Sequence, residues 1–243
     1  MSRRTDDQPR TNPDCFTCQN RDRSEWCILS DEELGLFNKA KIVKSYDAGE
    51  TIYYEGDPCI GVYDLESGVV AFRKYDLEGN ATLISLAYPG RTLGYRSFLE
   101  GGNHVTSAEA VKPSRLCFIE NSVVRDLIER NPALSQRFLQ RVVKDLGRAT
   151  ERYHQELTLS VRHRLLNLLL ILNDRYGTAN ESDKATIELP LSRQDLAALI
   201  GARPETLART IQVLQNNNLA HFKGRHVAIP HLGVLLDELG LIS

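Results

Sequence analysis

Nowhere does the sequence stay apolar for the roughly 18 residues a membrane-spanning helix needs, so no spanning segment is expected. The start, MSRRTDDQPRTNP, carries charge but no apolar stretch, which argues against a secretory signal. These two absences point to a cytoplasmic protein. A charge excess is also missing. The net charge is −2, so any binding to nucleic acid must rest on a local basic surface. Common enzyme motifs are absent as well: there is no glycine-rich phosphate loop, His-Glu-x-x-His or nucleophile elbow. A Cys-x2-Cys pair occurs, but without the βαβ pattern that would accompany a thioredoxin-like redox protein. The expectation is a protein that is not an enzyme.

What is present begins with 42% apolar residues, enough for packed cores in 243 residues. Residues 1–13 are polar and read as a loose terminus. Cys15, Cys18 and Cys27 follow, so 1–30 reads as a cysteine-rich segment. Ser30 with Glu33 makes a capping box, predicting a helix to about Ala40. From Lys41 to Ile119, short β-branched or apolar runs alternate with glycines at 49, 56, 61, 68, 79, 90, 94, 101 and 102. Runs such as 51–54, 69–72, 82–86 and 115–119 predict a β-barrel or sandwich within 31–130. A helix is predicted over Ser122–Arg130, with a boundary at Asn131-Pro132.

A longer helical pattern then runs to about Leu159. Leu139, Val142, Leu146, Ala149, Tyr153 and Leu157 fall at spacings of 3, 4, 3, 4 and 4, a heptad-like seam. At about 1.5 Å per residue such a helix is roughly 35–40 Å long. It either packs on its own domain or pairs with a second copy. The narrow stripe favours a homodimer, and 131–160 reads as a dimerisation helix.

The last unit, 161–243, predicts a helix over Val161–Tyr176, a polar loop over Thr178–Lys184 and a strand over Thr186–Leu191. Two helices and a hairpin over Ala220–Ile229 follow. Ser192 is a natural N-cap, and Leu196, Leu199 and Ile200 share one face. Gly201 suits a left-handed helix end, and Pro204 suits the first position of the next helix. Two short helices joined by such a turn read as a helix-turn-helix. Between Ser192 and His226 there are five basic residues (Arg193, Arg203, Arg209, Lys223, Arg225) against two acids. Glu205 and Arg209 project from one helix face near its start. Arginine can donate to guanine O6 and N7, and glutamate can accept from cytosine N4. The alternative is an ordinary ion pair between residues four apart.

The segment Gly201-Ala-Arg-Pro-Glu-Thr-Leu-Ala-Arg209 resembles the recognition element of the cyclic-AMP receptor/fumarate-nitrate-reduction (CRP/FNR) superfamily. Gly49-Glu-Thr-Ile-x-x-Glu-Gly-Asp57 and Val62-Tyr63-x-Leu65-x-Ser-Gly68 resemble the opening of that family's β-roll. The resemblance spans nearly the whole chain. It implies an α+β fold: a β-roll of the cyclic-nucleotide-binding jelly-roll type, a dimerisation helix and a winged helix-turn-helix. It implies a transcription regulator that binds double-stranded DNA at a pseudo-palindromic site with a TGA-type core, and RNA polymerase as a partner. Glu205 and Arg209 would read a G·C pair, with Thr206 and Arg203 beside them. Ser192, Arg193 and Gln194 would meet phosphates, and Lys223 and Arg225 fall in the wing. Pro204 and Ala208 depart from family residues, which leaves the outer half-site bases unassigned.

Three signals compete. Cys15-x2-Cys18-x8-Cys27 with Cys117 resembles the iron–sulfur oxygen sensors of the family, which implies a [4Fe–4S] cluster on those four thiolates. The same donors suit zinc, and Cys59 could replace Cys117. Nitric oxide or another redox signal is equally compatible with such a cluster. For cyclic nucleotide, the family's ribose glutamate and phosphate arginine are replaced by Arg91 and His104-Val105, while Arg96-Ser97 lies too early. For haem, His104 is a candidate ligand, but a lone His in a Gly-Gly-Asn-His loop reads as a solvated surface residue.

Overall fold

A computed structural model describes residues 14–179 and 184–240. The terminus over 1–13 and part of the expected polar loop lie outside the described residues. The cysteine-rich segment is not a loose tail where it is described. It folds into three 3-10 turns, Cys15–Thr17, Arg21–Arg23 and Glu25–Ile28, with Cys15 and Trp26 buried. Helix α1, Asp31–Ala40, follows. The Glu33 backbone N–H donates to the Ser30 hydroxyl, and the Ser30 backbone N–H donates to the Glu33 carboxylate, closing the capping box.

Six antiparallel strands make the β-roll: β1 (Ile42–Tyr46), β2 (Thr51–Tyr53), β3 (Gly61–Tyr75), β4 (Ala81–Ala87), β5 (Thr92–Leu93) and β6 (Ser107–Glu120). Their order is β1-β6-β3-β4, with β2 on β6 and β5 on β3. The two apolar runs flanking Gly68 are one bent strand rather than two. Register shifts between Leu65 and Val70 mark the bend, as bulges do. Gly68 has φ 93°, and a Cβ there would lie 2.5 Å from the Pro113 carbonyl oxygen. A short helix the sequence pattern does not announce, α2 (Tyr95–Glu100), sits between two left-handed glycines, Gly94 and Gly101.

Helix α3 covers Asn121–Arg130, and α4 runs from Ala133 to Thr158. Leu134 and Phe138 of α4 are fully buried against the β-roll. Trp26 meets Phe138 edge-on at 5.5 Å. On its other side, Leu139, Val143, Leu146, Tyr153 and Leu157 are 60–69% exposed. Ala149 is exposed too, while Val142 is half-buried and packs on the protein's own core.

The C-terminal unit comprises α5 (Val161–Tyr176), β7 (Gly177–Ala179), β8 (Ala185–Glu188), α6 (Arg193–Leu199), α7 (Pro204–Asn216), β9 (His221–Lys223), β10 (His226–Ile229) and α8 (Leu232–Glu238). The expected loop thus begins as a strand, since Gly177–Ala179 pairs with β8; the strand expected to reach Leu191 ends at Glu188. The sheet order is β7-β8-β10-β9. Leucines 165, 166, 169 and 172 of α5 pack with Leu196, Leu207, Leu214 and Val227, and this core continues into the β-roll through Ala71 and Leu83. Among the described residues no helix is long and apolar enough to cross a membrane.

Phe138 touches the rings of Trp26, Tyr95 and Phe98 with no exposed surface. Phe138→Ala is expected to cost about 3–5 kcal/mol, read as a lower urea midpoint for the N-terminal half.

Candidate nucleic-acid interface and cysteine group

Helix α6 starts at a second capping box. The Asp195 N–H donates to Ser192 Oγ at 3.0 Å, and the Ser192 N–H and hydroxyl donate to one Asp195 oxygen at 3.0 and 2.8 Å. The helix ends at Leu199, and the turn after it passes through Gly201, φ 59°, where a Cβ would lie 2.7 Å from the Glu156 carboxylate. Pro204 then opens α7, as its missing N–H and fixed φ favour. Leu207 and Leu214 point α7 at the core. The opposite side leaves Arg203, Glu205, Thr206 and Arg209 exposed. Among the described residues Glu205 and Arg209 form no ion pair with each other or with any neighbour.

The β9–β10 turn carries exposed Lys223 and Arg225 around Gly224, φ 60°. Ser192 and Gln194 are also exposed. Arg193 is not a free surface cation. Its guanidinium lies 4.6 Å from the Phe222 ring centre and donates to the Gly224 carbonyl at 3.2 Å, so it ties the start of α6 to the wing.

The four candidate thiols lie around one end of the β-roll. Cys15 is buried; Lys41 Nζ donates to its Sγ at 2.9 Å, and burial pushes the thiol up. Cys117 of β6 stands opposite Asp64 of β3, and burial, then Asp64, push it up to about 12. Cys18 lies within electrostatic reach of Cys15 and of Arg115. Cys27 is turned to α4, where Arg137 Nη2 donates to its Sγ at 2.5 Å. Cys59 instead donates to the Gly61 and Gly94 carbonyls. The donor chemistry suits an iron–sulfur centre, with cationic partners already at two of the four sulfurs. The thiols do not converge on one point, however. Among the described residues no three His, Cys, Asp or Glu are arranged to hold a metal ion.

Sequence reading missed the polar group beside them. Asp64 is buried, and desolvation followed by the nearby Glu25 carboxylate pushes it up to about 7. The Thr92 hydroxyl donates to Glu25 Oε2 at 2.6 Å, and Arg141 of α4 donates to Glu25 Oε1 at 2.6 Å. The only signal was a charged residue inside the apolar run Val62–Leu65.

His104 is buried rather than solvated: its ring stacks on Tyr53 at 3.7 Å because its loop folds back under β2. It lines a cavity of about 60 Å³ with Tyr53, Phe72, Arg91 and Tyr95. Arg91 is committed to Asp145 of α4 at 2.5 Å, and Tyr95 donates to the same carboxylate at 2.6 Å.

A β-roll, a long helix with an exposed apolar stripe and a capped helix-turn-helix define the chain, and family profiles match the two ends. The Cyclic nucleotide-binding domain matches residues 43–131, and the Crp-like helix-turn-helix domain matches residues 163–238. The chain belongs to the CRP/FNR family of DNA-binding transcription regulators. It is 24% identical over 230 residues to the transcriptional activator protein FnrL of Cereibacter sphaeroides, covering 93% of this chain and 92% of that one. It is 23% identical over 227 residues to the anaerobic regulatory protein of Pasteurella multocida, covering 92% and 82%. A CRP/FNR family transcriptional regulator from Thermus thermophilus superposes with TM-score 0.69 at 24% identity, covering 82% and 98%.

The buried Asp64 sets a pH dependence. Its folded value, about 7, lies above the ordinary 3.8, so the stability contributed by its protonated form is complete below 3.8 and lost as pH rises through about 7. Asp64→Asn is neutral throughout. The Tm of this variant relative to the parent protein is expected to rise between about pH 5 and pH 8; a pH-independent difference would contradict the assignment.

Proposed function

We propose that the protein is a homodimeric regulator that reads a pseudo-palindromic DNA site with a TGA-type core in each half. The observation that carries this reading is α7: Pro204 is its first residue after the turn, and it presents Glu205 and Arg209 exposed and without an ion pair. The ordinary ion-pair alternative would have them bonded to each other. Arg209 donates to guanine and Glu205 accepts from cytosine, each contact discriminating by about 1–3 kcal/mol. Thr206 and Arg203 flank them. Ser192, Gln194, Lys223 and Arg225 meet phosphates, while Arg193 holds the wing in place.

The exposed stripe of α4 supports pairing of two copies. Leu139, Leu146, Ala149, Tyr153 and Leu157 form the seam, with Val143 joining from the outer side and Val142 from the inner. Pairing sets the recognition helices about one DNA turn apart, roughly 34 Å. In this reading the bound dimer acts on RNA polymerase. The division of labour follows the chain: 1–30 senses, 31–130 supports, 131–160 pairs and 161–243 reads DNA.

The signal is assigned to the cysteine group. Cys15, Cys18, Cys27 and Cys117 would hold a [4Fe–4S] cluster, which would supply a centre labile to oxygen, nitric oxide or another redox signal. The anaerobic role in a relative's printed name agrees with this. What the chain's own residues do is couple that group to the seam helix. Cys27 accepts from Arg137, Trp26 packs on Phe138, and Glu25 pairs with Arg141. Three consecutive residues of the cysteine segment thus grip adjacent turns of α4, where the exposed stripe begins.

Two outcomes are expected. Anaerobically reconstituted protein carries iron and acid-labile sulfide, and Cys27→Ser loses both; a colourless, iron-free parent protein would remove the cluster from this reading. In duplex binding, Arg209→Ala abolishes preference for the TGA core. Lys223→Ala weakens all sequences alike and lowers the salt slope by about 1.

A further inference from the structure

The joint between the β-roll and the helix-turn-helix is a charged one. Arg73, near the end of β3, is only 11% exposed at its side chain. Its Nε donates to Glu109 of β6 at 2.8 Å, and its Nη1 donates to Asp195 of α6 at 2.6 Å. Asp195 is the capping-box residue of α6. Its other oxygen accepts from the Ser192 N–H and hydroxyl. One carboxylate therefore performs two tasks: it starts the first helix of the helix-turn-helix and anchors that helix to the β-roll. Around the ion pair, α6 lies against β4, and Leu83 and Ala71 of the β-roll share a core with Leu196 and Ala197. Apolar contact of this kind is non-directional. The forked guanidinium, held on one side by Glu109, is directional and fixes where α6 must sit.

The docked face is not the DNA face. With the ion pair formed, Ser192, Gln194, Arg203, Glu205, Thr206, Arg209, Lys223 and Arg225 all remain exposed. The contact therefore orients the reading surface instead of masking it.

We infer that Arg73 is a positioning residue for DNA recognition: by holding Asp195 against the β-roll it sets the placement of α7 relative to the seam helix, and so the half-site spacing the dimer accepts. This rests on the DNA-reading role proposed above. A single half-site asks only for an intact α7. A palindrome asks for two α7 helices at a fixed separation. Loss of Arg73 must therefore act on the second and not on the first.

The test uses full-length protein with two readouts. Spin labels on keto-bearing residues introduced at Leu77, the exposed β3–β4 tip, and at Asn217, beyond α7, report the placement of the DNA-binding unit. Arg73→Gln is expected to broaden that distance distribution. In duplex binding it is expected to lower affinity for the palindrome on the order of 5–150-fold, the usual range of coupling between sites. Half-site affinity should stay at the parent value, and the variant should tolerate altered spacers that the parent rejects. Arg73→Lys, which keeps charge but not the fork, should recover part of the palindrome affinity. An unchanged distance distribution overturns the clamp. A broadened distribution with unchanged palindrome affinity, or an equal loss on half-site and palindrome, overturns the positioning role. A parent protein without TGA preference refutes the DNA assignment, while the distance readout still decides whether Arg73 holds the unit.

Discussion

The architecture depends on one helix having two faces. Helix α4 must bury Leu134 and Phe138 in its own β-roll while leaving Leu139, Leu146, Tyr153 and Leu157 outside. Neither face is optional. The aromatic contact between Trp26 and Phe138 fixes the rotation of the helix about its axis, and that rotation alone decides which residues form the outer stripe. A turn of about 100° would put the charged side chains between them into the seam instead. The seam is therefore a consequence of packing within the chain before it is a property of any dimer.

Ion pairs and hydrogen bonds reinforce that rotation at successive turns. Arg137 meets Cys27, Arg141 meets Glu25, and Asp145 meets Arg91 and Tyr95, so residues four apart form a polar latch along the inner edge of α4. Farther along, Arg152 donates to the Ile84 carbonyl at 2.6 Å. Arg73 with Asp195 plays the equivalent part at the next joint. Desolvating such charges is costly, and apolar replacements often match or exceed them in stability. Their contribution here lies in direction. The joints of the cysteine segment with α4, of the β-roll with α4 and of the β-roll with α6 each carry a directional polar bond.

Local signals made the helices and the reading head legible in the sequence. Ser30 and Ser192 act on residues three ahead, Gly201 and Pro204 constrain their own backbones, and the α4 pattern repeats along one helix. The bend at Gly68 looked like a break because a bulge and a turn both call for glycine. Helix α2 escaped notice because it is only six residues long and lies between two glycines. The latches were illegible for a different reason. Arg73 and Asp195 are 122 residues apart, and Arg91 and Asp145 are 54 apart, so nothing local announces either pair. His104 was misjudged for the same reason: its loop composition is polar, but its burial comes from Tyr53, far earlier in the chain.

The cysteine group shows where residue type and position part company. Donor identity and chain order can be read from sequence, but convergence of four sulfurs is a tertiary property. What the fold adds is electrostatic. Cys15 and Cys117 sit where burial favours the neutral thiol, and ligation of a metal centre demands thiolate. Burying several thiolates together is unfavourable unless positive charge accompanies them. Lys41 at Cys15 and Arg137 at Cys27 supply it, one from the end of α1 and one from the seam helix. Because Arg137 belongs to α4, its bond to Cys27 ties the cysteine segment to the helix whose rotation sets the exposed stripe.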